Sequence, residues 1–168
     1  MAQTVNENAL SGRISLRPAF ASDGDFLLQV YASTRQEEVA SWGWSPEQQS
    51  SFLGMQYEIR KRGYATAYPS AETSIVLLGE APAGSMIVFR GSGEIRLVDI
   101  ALLPEFRNRG IGENLIRTLI SEASRSGSIV RLNVLPGNRA AQLYARLGFV
   151  TTGGDEMYCE MECAPVKL

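Results

Sequence analysis

"IRLVDIALLPEFRNRGIGENLI", Ile95–Ile116, holds a strand, a break and a helix in one short span. The opening run, Ile95–Leu103, is rich in β-branched and apolar residues and reads as a strand. Pro104 interrupts it. After Gly110 and Gly112 the chain places Leu115, Ile116, Leu119, Ile120 and Ala123 on one helical face. "SIVRLNV", Ser128–Val134, is again a strand. A strand, a crossover helix and a second strand make parallel neighbours with a right-handed connection. Ligands of such sheets sit outside the carboxyl ends of the parallel strands, where the two glycines stand.

Outward from this unit the rest of the sheet is antiparallel. "TSIVLLGE" and "GSMIVFRG" form a hairpin turned by "APAG", Ala81–Gly84, and lead into the Ile95 strand as a meander. "RISLRPA", Arg13–Ala19, is an earlier strand, followed by a helix over Ser22–Ser33 with Ser22 as its cap. The next helix has Ser45 as cap, Pro46 at its first position and Gln48 closing a capping box. Its expected buried stripe is Phe52, Met55 and Ile59, with Arg60, Lys61 and Arg62 in the last turn and Gly63 as the stop. "NRAAQLYARLG" is a helix capped by Asn138 and closed by Gly148, and "FVTTGG" and "MYCEMEC" are a final strand pair. The element order is βααβββαβαββ. The expected fold is α/β of the α+β type: a mixed, mostly antiparallel sheet of about six to seven strands with one central parallel pair, flanked by about four helices. Residues 1–11 are expected to be a flexible tail, and 12–168 a single domain.

Composition bounds the function. The net charge of −2 argues against a general nucleic-acid binder, and no apolar run is long enough to span a membrane. The amino-terminal stretch lacks the pattern of a signal peptide, and Cys159 and Cys163, about 13 Å apart in one strand, are expected to be reduced thiols of a cytoplasmic protein. The chain has no histidine, so it has no Ser-His or Cys-His nucleophile pair and no histidine metal site; no metal is expected.

The glycine turn reads as an anion site. A helix start carries unpaired N–H groups and partial positive charge, and glycine lets a ligand approach the backbone. Arg107 and Arg109 add positive field. The phosphate-loop pattern is absent, and the dinucleotide fingerprint fails because Leu115 stands at its third glycine.

"LVDIALLPEFRNRGIGENLI" resembles the acyl-CoA signature of the Gcn5-related N-acetyltransferases, whose six-residue core here is Arg107, Asn108, Arg109, Gly110, Ile111 and Gly112. A second family motif follows in "GNRAAQLYARLGF", with Asn138, Tyr144, Gly148 and Phe149. The resemblance implies that the parallel pair splays apart around acetyl-CoA as cosubstrate. The backbone of Ile100, Ala101 and Leu102 would pair with the pantetheine arm, and the amides of Arg107–Gly112 would hold the pyrophosphate. Asn138 would lie near the thioester, and the N–H of Leu102 is a candidate for the oxyanion. Tyr144 would protonate the departing thiolate. The family's glutamate bases fall at Arg96 and Asn133 here, which leaves Glu94 and Asp99 as the carboxylate candidates. Trp42 and Trp44, with Tyr64 and Tyr68, are the expected acceptor-site aromatics.

The expected activity is acetyl transfer to a primary amine of a small molecule, by direct attack in a ternary complex. Rival readings are a protein or peptide amine as acceptor, and a non-catalytic acyl-CoA-binding module on the same fold. Dimers are frequent in the family, and this sequence carries no interface signature.

Overall fold

The computed structural model describes residues 12–166, so the expected tail at 1–11 lies outside the described residues. Seven strands form one sheet in the order β1-β2-β3-β4-β5-β7-β6. They are β1 (Ile14–Pro18), β2 (Glu72–Leu78), β3 (Ala81–Gly91), β4 (Glu94–Leu102), β5 (Ile129–Val134), β6 (Val150–Gly154) and β7 (Cys159–Cys163). The helices are α1 (Gly24–Ala40), α2 (Pro46–Ala67), α3 (Ile111–Ser126) and α4 (Ala140–Arg146). The order of strands and helices is the one the periodicity predicts.

Among the described residues, only β4 and β5 run parallel. Their pairing begins at Glu94 with Ile129 and ends at Leu97 with Leu132. Beyond that point β4 continues to Leu102 with no partner on its β5 side. A bulge falls at the same level. On the β3 side Leu97 faces Val88 and Asp99 faces Ile87, so Val98 is the extra residue. Strand side chains alternate between faces, and opposed residues share a face. Without the bulge Asp99 would point with Ile95 and Leu97 into the core; with it, Asp99 points with Ile87 to the other side.

The main core lies under α3. Ile111, Leu115, Ile116, Leu119 and Ala123 pack on Val76, Met86, Val88, Ile95, Leu97, Val130 and Leu132. The opposite face is covered by α1 and α2, where Val30, Val39, Leu53 and Ile75 are buried outside that cluster.

Four local expectations are corrected. Ser22 caps nothing: Ala21–Asp23 form a 3-10 turn and α1 starts at Gly24. Asp23 organises the entry instead, taking the Phe20 amide at 2.7 Å and both Arg17 guanidinium nitrogens at 2.8 Å. The β2–β3 turn is Gly79–Glu80, and "APAG" lies inside β3. Pro82 is accommodated there because a bulge at Ala83 interrupts the ladder beside it. The α2 capping box forms as predicted, but Gly63 does not end the helix, which runs four residues further to Ala67. The inward stripe Leu53, Tyr57, Arg60 and Tyr64 carries it on, and Arg60 therefore sits mid-helix.

The fourth correction is the face of α2. Met55 is 54% exposed and Ile59 57% exposed, so the expected buried stripe is the outer one. The inner stripe escaped hydrophobic periodicity because it mixes an apolar residue with tyrosines and an arginine. Replacing Met55 by Lys or Ile59 by Glu is expected to move the unfolding free energy by less than about 0.5 kcal/mol. Leu53→Ala is expected to lower it by about 2 kcal/mol or more. Urea midpoints of the three variants check the assignment.

Candidate active site

Where β4 and β5 part, the sheet opens into a cleft of about 1300 Å³, walled by α1, α2, β4, β5 and α4. One wall is the backbone of Val98–Leu102, an extended edge with peptide groups free on the β5 side, among the described residues. Leu102 is the exception at its end, since its carbonyl accepts from Arg107 Nε at 2.8 Å. Arg107 also reaches the Ser33 carbonyl and hydroxyl at 3.3 and 3.2 Å. Its guanidinium thus ties the end of β4 to α1 rather than pointing freely at an anion.

The glycine turn closes the cleft below. Gly110 has φ +75°, a left-handed conformation that a side chain would strain, and Asn108 before it has φ +59°. These two left-handed residues flank Arg109 at the positive end of α3, and of the turn Arg107 and Gly112 line the cleft. Among the described residues, the amides from Asn108 through Glu113 donate to no protein acceptor. A Cβ built on Gly112 meets no atom within 4 Å, so the space beside it is open for a ligand. Arg109 lies over the Phe106 ring at 5.7 Å.

Tyr144, Asp99 and Asn138 meet in this cleft. Tyr144 is 6% exposed, its ring tilted against Phe149 at 5.7 Å. Burial and the charge of Asp99 push its hydroxyl up to about 12. That hydroxyl has no hydrogen bond to protein among the described residues. Asp99 is raised above the ordinary carboxylate range by burial, against the opposing pull of its partner Arg60. Asn138 Oδ1 accepts the Ala140 amide at 2.9 Å, capping α4 and leaving its amide nitrogen for the cleft.

Of the expected cofactor-binding residues, Asn108, Arg109, Gly110 and Ile111 do not line the cleft, and neither do Glu94, Trp42 and Trp44. Glu94 sits at the start of β4, bonded to Arg96 at 2.8 Å and Arg131 at 2.9 Å, with Glu162 on Arg131 at 2.6 Å. Burial alone would raise it, but the two guanidiniums outweigh that and leave it below the usual range. A carboxylate held ionised in a ladder across β4, β5 and β7 is a poor proton acceptor. Trp42 and Trp44 lie on the surface, 38% and 40% exposed, packed edge-on with each other and Phe52 at 5.0–5.4 Å. They shield one another and do not line the cleft.

Tyr64 and Tyr68 do line it, and so do Tyr31, Tyr57 and Tyr158, which the sequence reading missed. With Tyr144 these are all six tyrosines of the chain, and no phenylalanine or tryptophan lines this cleft. The chain sorts its aromatics by the hydroxyl. That partition is the signal composition offered, and it needed no motif. Arg60, lying over Tyr64 at 5.1 Å and Tyr31 at 5.5 Å, is the other missed residue.

Residues 69–151 match the acetyltransferase (GNAT) domain family. Among solved structures, the PaiA N-acetyltransferase of Thermoplasma acidophilum, a complex with coenzyme A, is similar at 19% identity and a TM-score of 0.67, covering 90% of this chain and 99% of that one. The ribosomal-protein-S18-alanine N-acetyltransferase of Escherichia coli is similar at 20% identity and a TM-score of 0.59, covering 93% and 96%. A GNAT family acetyltransferase from Elizabethkingia anophelis with acetyl-CoA bound is similar at 15% identity and a TM-score of 0.56, covering 90% and 97%. Residues 69–151 form an acetyltransferase (GNAT) domain, and the fold built around them is that of the GNAT acetyltransferases.

Proposed function

We propose that this chain moves the acetyl group of acetyl-CoA to the primary amine of a small molecule, by direct attack within a ternary complex. The observation that carries the reading is the continuity of one cleft, lined by Arg107 and Gly112 of the glycine turn, the free strand edge of β4, and Tyr144 with Asp99. The turn suits a pyrophosphate. The free edge of Ile100 and Ala101 suits an amide-bearing arm that pairs like a strand. Asn138 lines the same cleft, which suits a contact near the thioester.

Direct attack is supported by what the cleft offers. The chain has no histidine, and neither Cys159 nor Cys163 lines the cleft. Asp99 takes a proton from the acceptor ammonium. The neutral amine then forms the C–N bond, and an amide on the free edge of β4 faces the developing oxyanion. The C–S bond breaks with its electron pair on sulfur, and the Tyr144 hydroxyl supplies the proton. The amide nitrogen passes its extra proton through water to Tyr144, and Asp99 releases its proton to solvent, which restores both groups. The products are an N-acetylated amine, the free thiol and one proton.

Thiol release from acetyl-CoA, measured over a panel of small amines and short peptides, tests the reading. Turnover with a small amine above the hydrolysis background is the expected result. Turnover confined to peptides would contradict the small-molecule assignment.

A further inference from the structure

The acceptor end of the cleft is spanned by one ion pair, Arg60 on α2 with Asp99 on β4. Two neighbouring arginines are closed on other partners, and Glu38, the partner of Arg35, lines the cleft with it. Arg35 holds Glu38 through two bonds within α1, at 3.0 and 2.9 Å, and Arg96 is held by Glu94 from outside the cleft. The Arg60–Asp99 pair is different. A single nitrogen–oxygen contact joins two separate elements, with side chains 38% and 23% exposed. Further N–H donors of Arg60 and the second oxygen of Asp99 remain open to the cleft. The guanidinium also lies over the rings of Tyr64 at 5.1 Å and Tyr31 at 5.5 Å, contacts that do not depend on its carboxylate partner.

One contact joins the pair and leaves donors and an oxygen over, so a ligand can part it if each charge finds a new partner. A plain amine satisfies Asp99 and strands Arg60. A polyamine adds positive charge beside Arg35, Arg60, Lys61 and Arg96, which line the cleft and outnumber its carboxylates Glu38 and Asp99. A zwitterion leaves every charge matched.

We propose that the acceptor is a free α-amino acid, seated in the parted Arg60–Asp99 pair with its ammonium on Asp99 and its carboxylate on Arg60. The inference rests on the acetyltransferase reading above. A guanidinium fork recognises a carboxylate through two parallel bonds, which a lone amine cannot replace. The same seating delivers the amine to Asp99, the carboxylate nearest in effect to Tyr144, and so to the reacting end of the cleft. Arg60 is then a specificity residue, and Tyr57, Tyr68 and Ile87 are left to face the amino acid's side chain.

The test is acetyl transfer to the common L-amino acids, each compared with its decarboxylated amine and its amide, with spermidine and a short peptide as further acceptors. Acetyl-CoA binding is measured calorimetrically on the same preparation. The expected result is that the best amino acid exceeds its decarboxylated amine in kcat/KM by about a hundredfold or more. Arg60→Met is expected to remove that preference through KM with acetyl-CoA affinity unchanged, and Arg60→Lys to restore part of it. The wild-type panel stands alone if Arg60→Met does not fold. Equal turnover of the decarboxylated amine, or preference for spermidine or the peptide, overturns the inference. So does acetyl-CoA binding with no turnover of any amino acid, and that outcome leaves the cofactor reading standing. Absence of acetyl-CoA binding overturns both.

Discussion

Tyr144→Phe is expected to lower kcat by about a hundredfold or more while acetyl-CoA binds as before. The substitution keeps the ring that packs on Phe149 and removes only the hydroxyl, which bonds to no protein group among the described residues. Stability should therefore change little. The pH profile separates a proton donor from a packing residue. A general acid works while protonated, and burial with the charge of Asp99 pushes this hydroxyl up to about 12. Activity should rise with pH as the acceptor amine loses its proton. It should then hold beyond pH 10, where an ordinary phenol, near pKa 10, would be half ionised. A Tyr144→Phe enzyme with wild-type kcat would make Tyr144 a core residue and move the proton donor elsewhere.

Gly112→Asp is expected to separate folding from binding with opposite signs. The position lies in the first turn of α3, a Cβ there meets nothing, and the helix dipole favours a carboxylate at that end. The variant should unfold at the same or a slightly higher temperature. A bound pyrophosphate would meet that carboxylate at close range. Like charges about 5 Å apart at an effective dielectric near 20 repel by about 3 kcal/mol, about a hundredfold in affinity. Thermal unfolding and calorimetric titration check the two halves. Unchanged acetyl-CoA affinity in the stable variant would mean that the pyrophosphate does not rest on this turn.

The sequence made some of this plain and hid the rest for physical reasons. The α3 stripe from Ile111 to Ala123 is strongly periodic and meets a single apolar core, so pattern and structure agree. The meander and the parallel pair followed from connection rules, whereas the place of β7 between β5 and β6 did not. The acceptor end did not, because its lining obeys chemistry rather than hydrophobicity. The α2 helix turns Tyr57, Arg60 and Tyr64 inward and leaves Met55 and Ile59 outside, the reverse of what an apolar stripe suggests. Glu94 and Asp99 look equivalent as carboxylates of one strand. They part company at the bulge of Val98, which points Asp99 into the cleft and which no residue type at that position announces. Trp42 and Trp44 sat at the right place in the chain, but they cluster with Phe52 on the surface and leave the cleft to the tyrosines.

The central claim is that the Gly110–Gly112 turn and the free edge of β4 form an acetyl-CoA site. Calorimetric titration of the folded protein with acetyl-CoA, with NAD in a parallel cell, tests it most directly. The account predicts one site of micromolar affinity for acetyl-CoA and no heat from NAD. A folded protein that gives no heat with acetyl-CoA would contradict it.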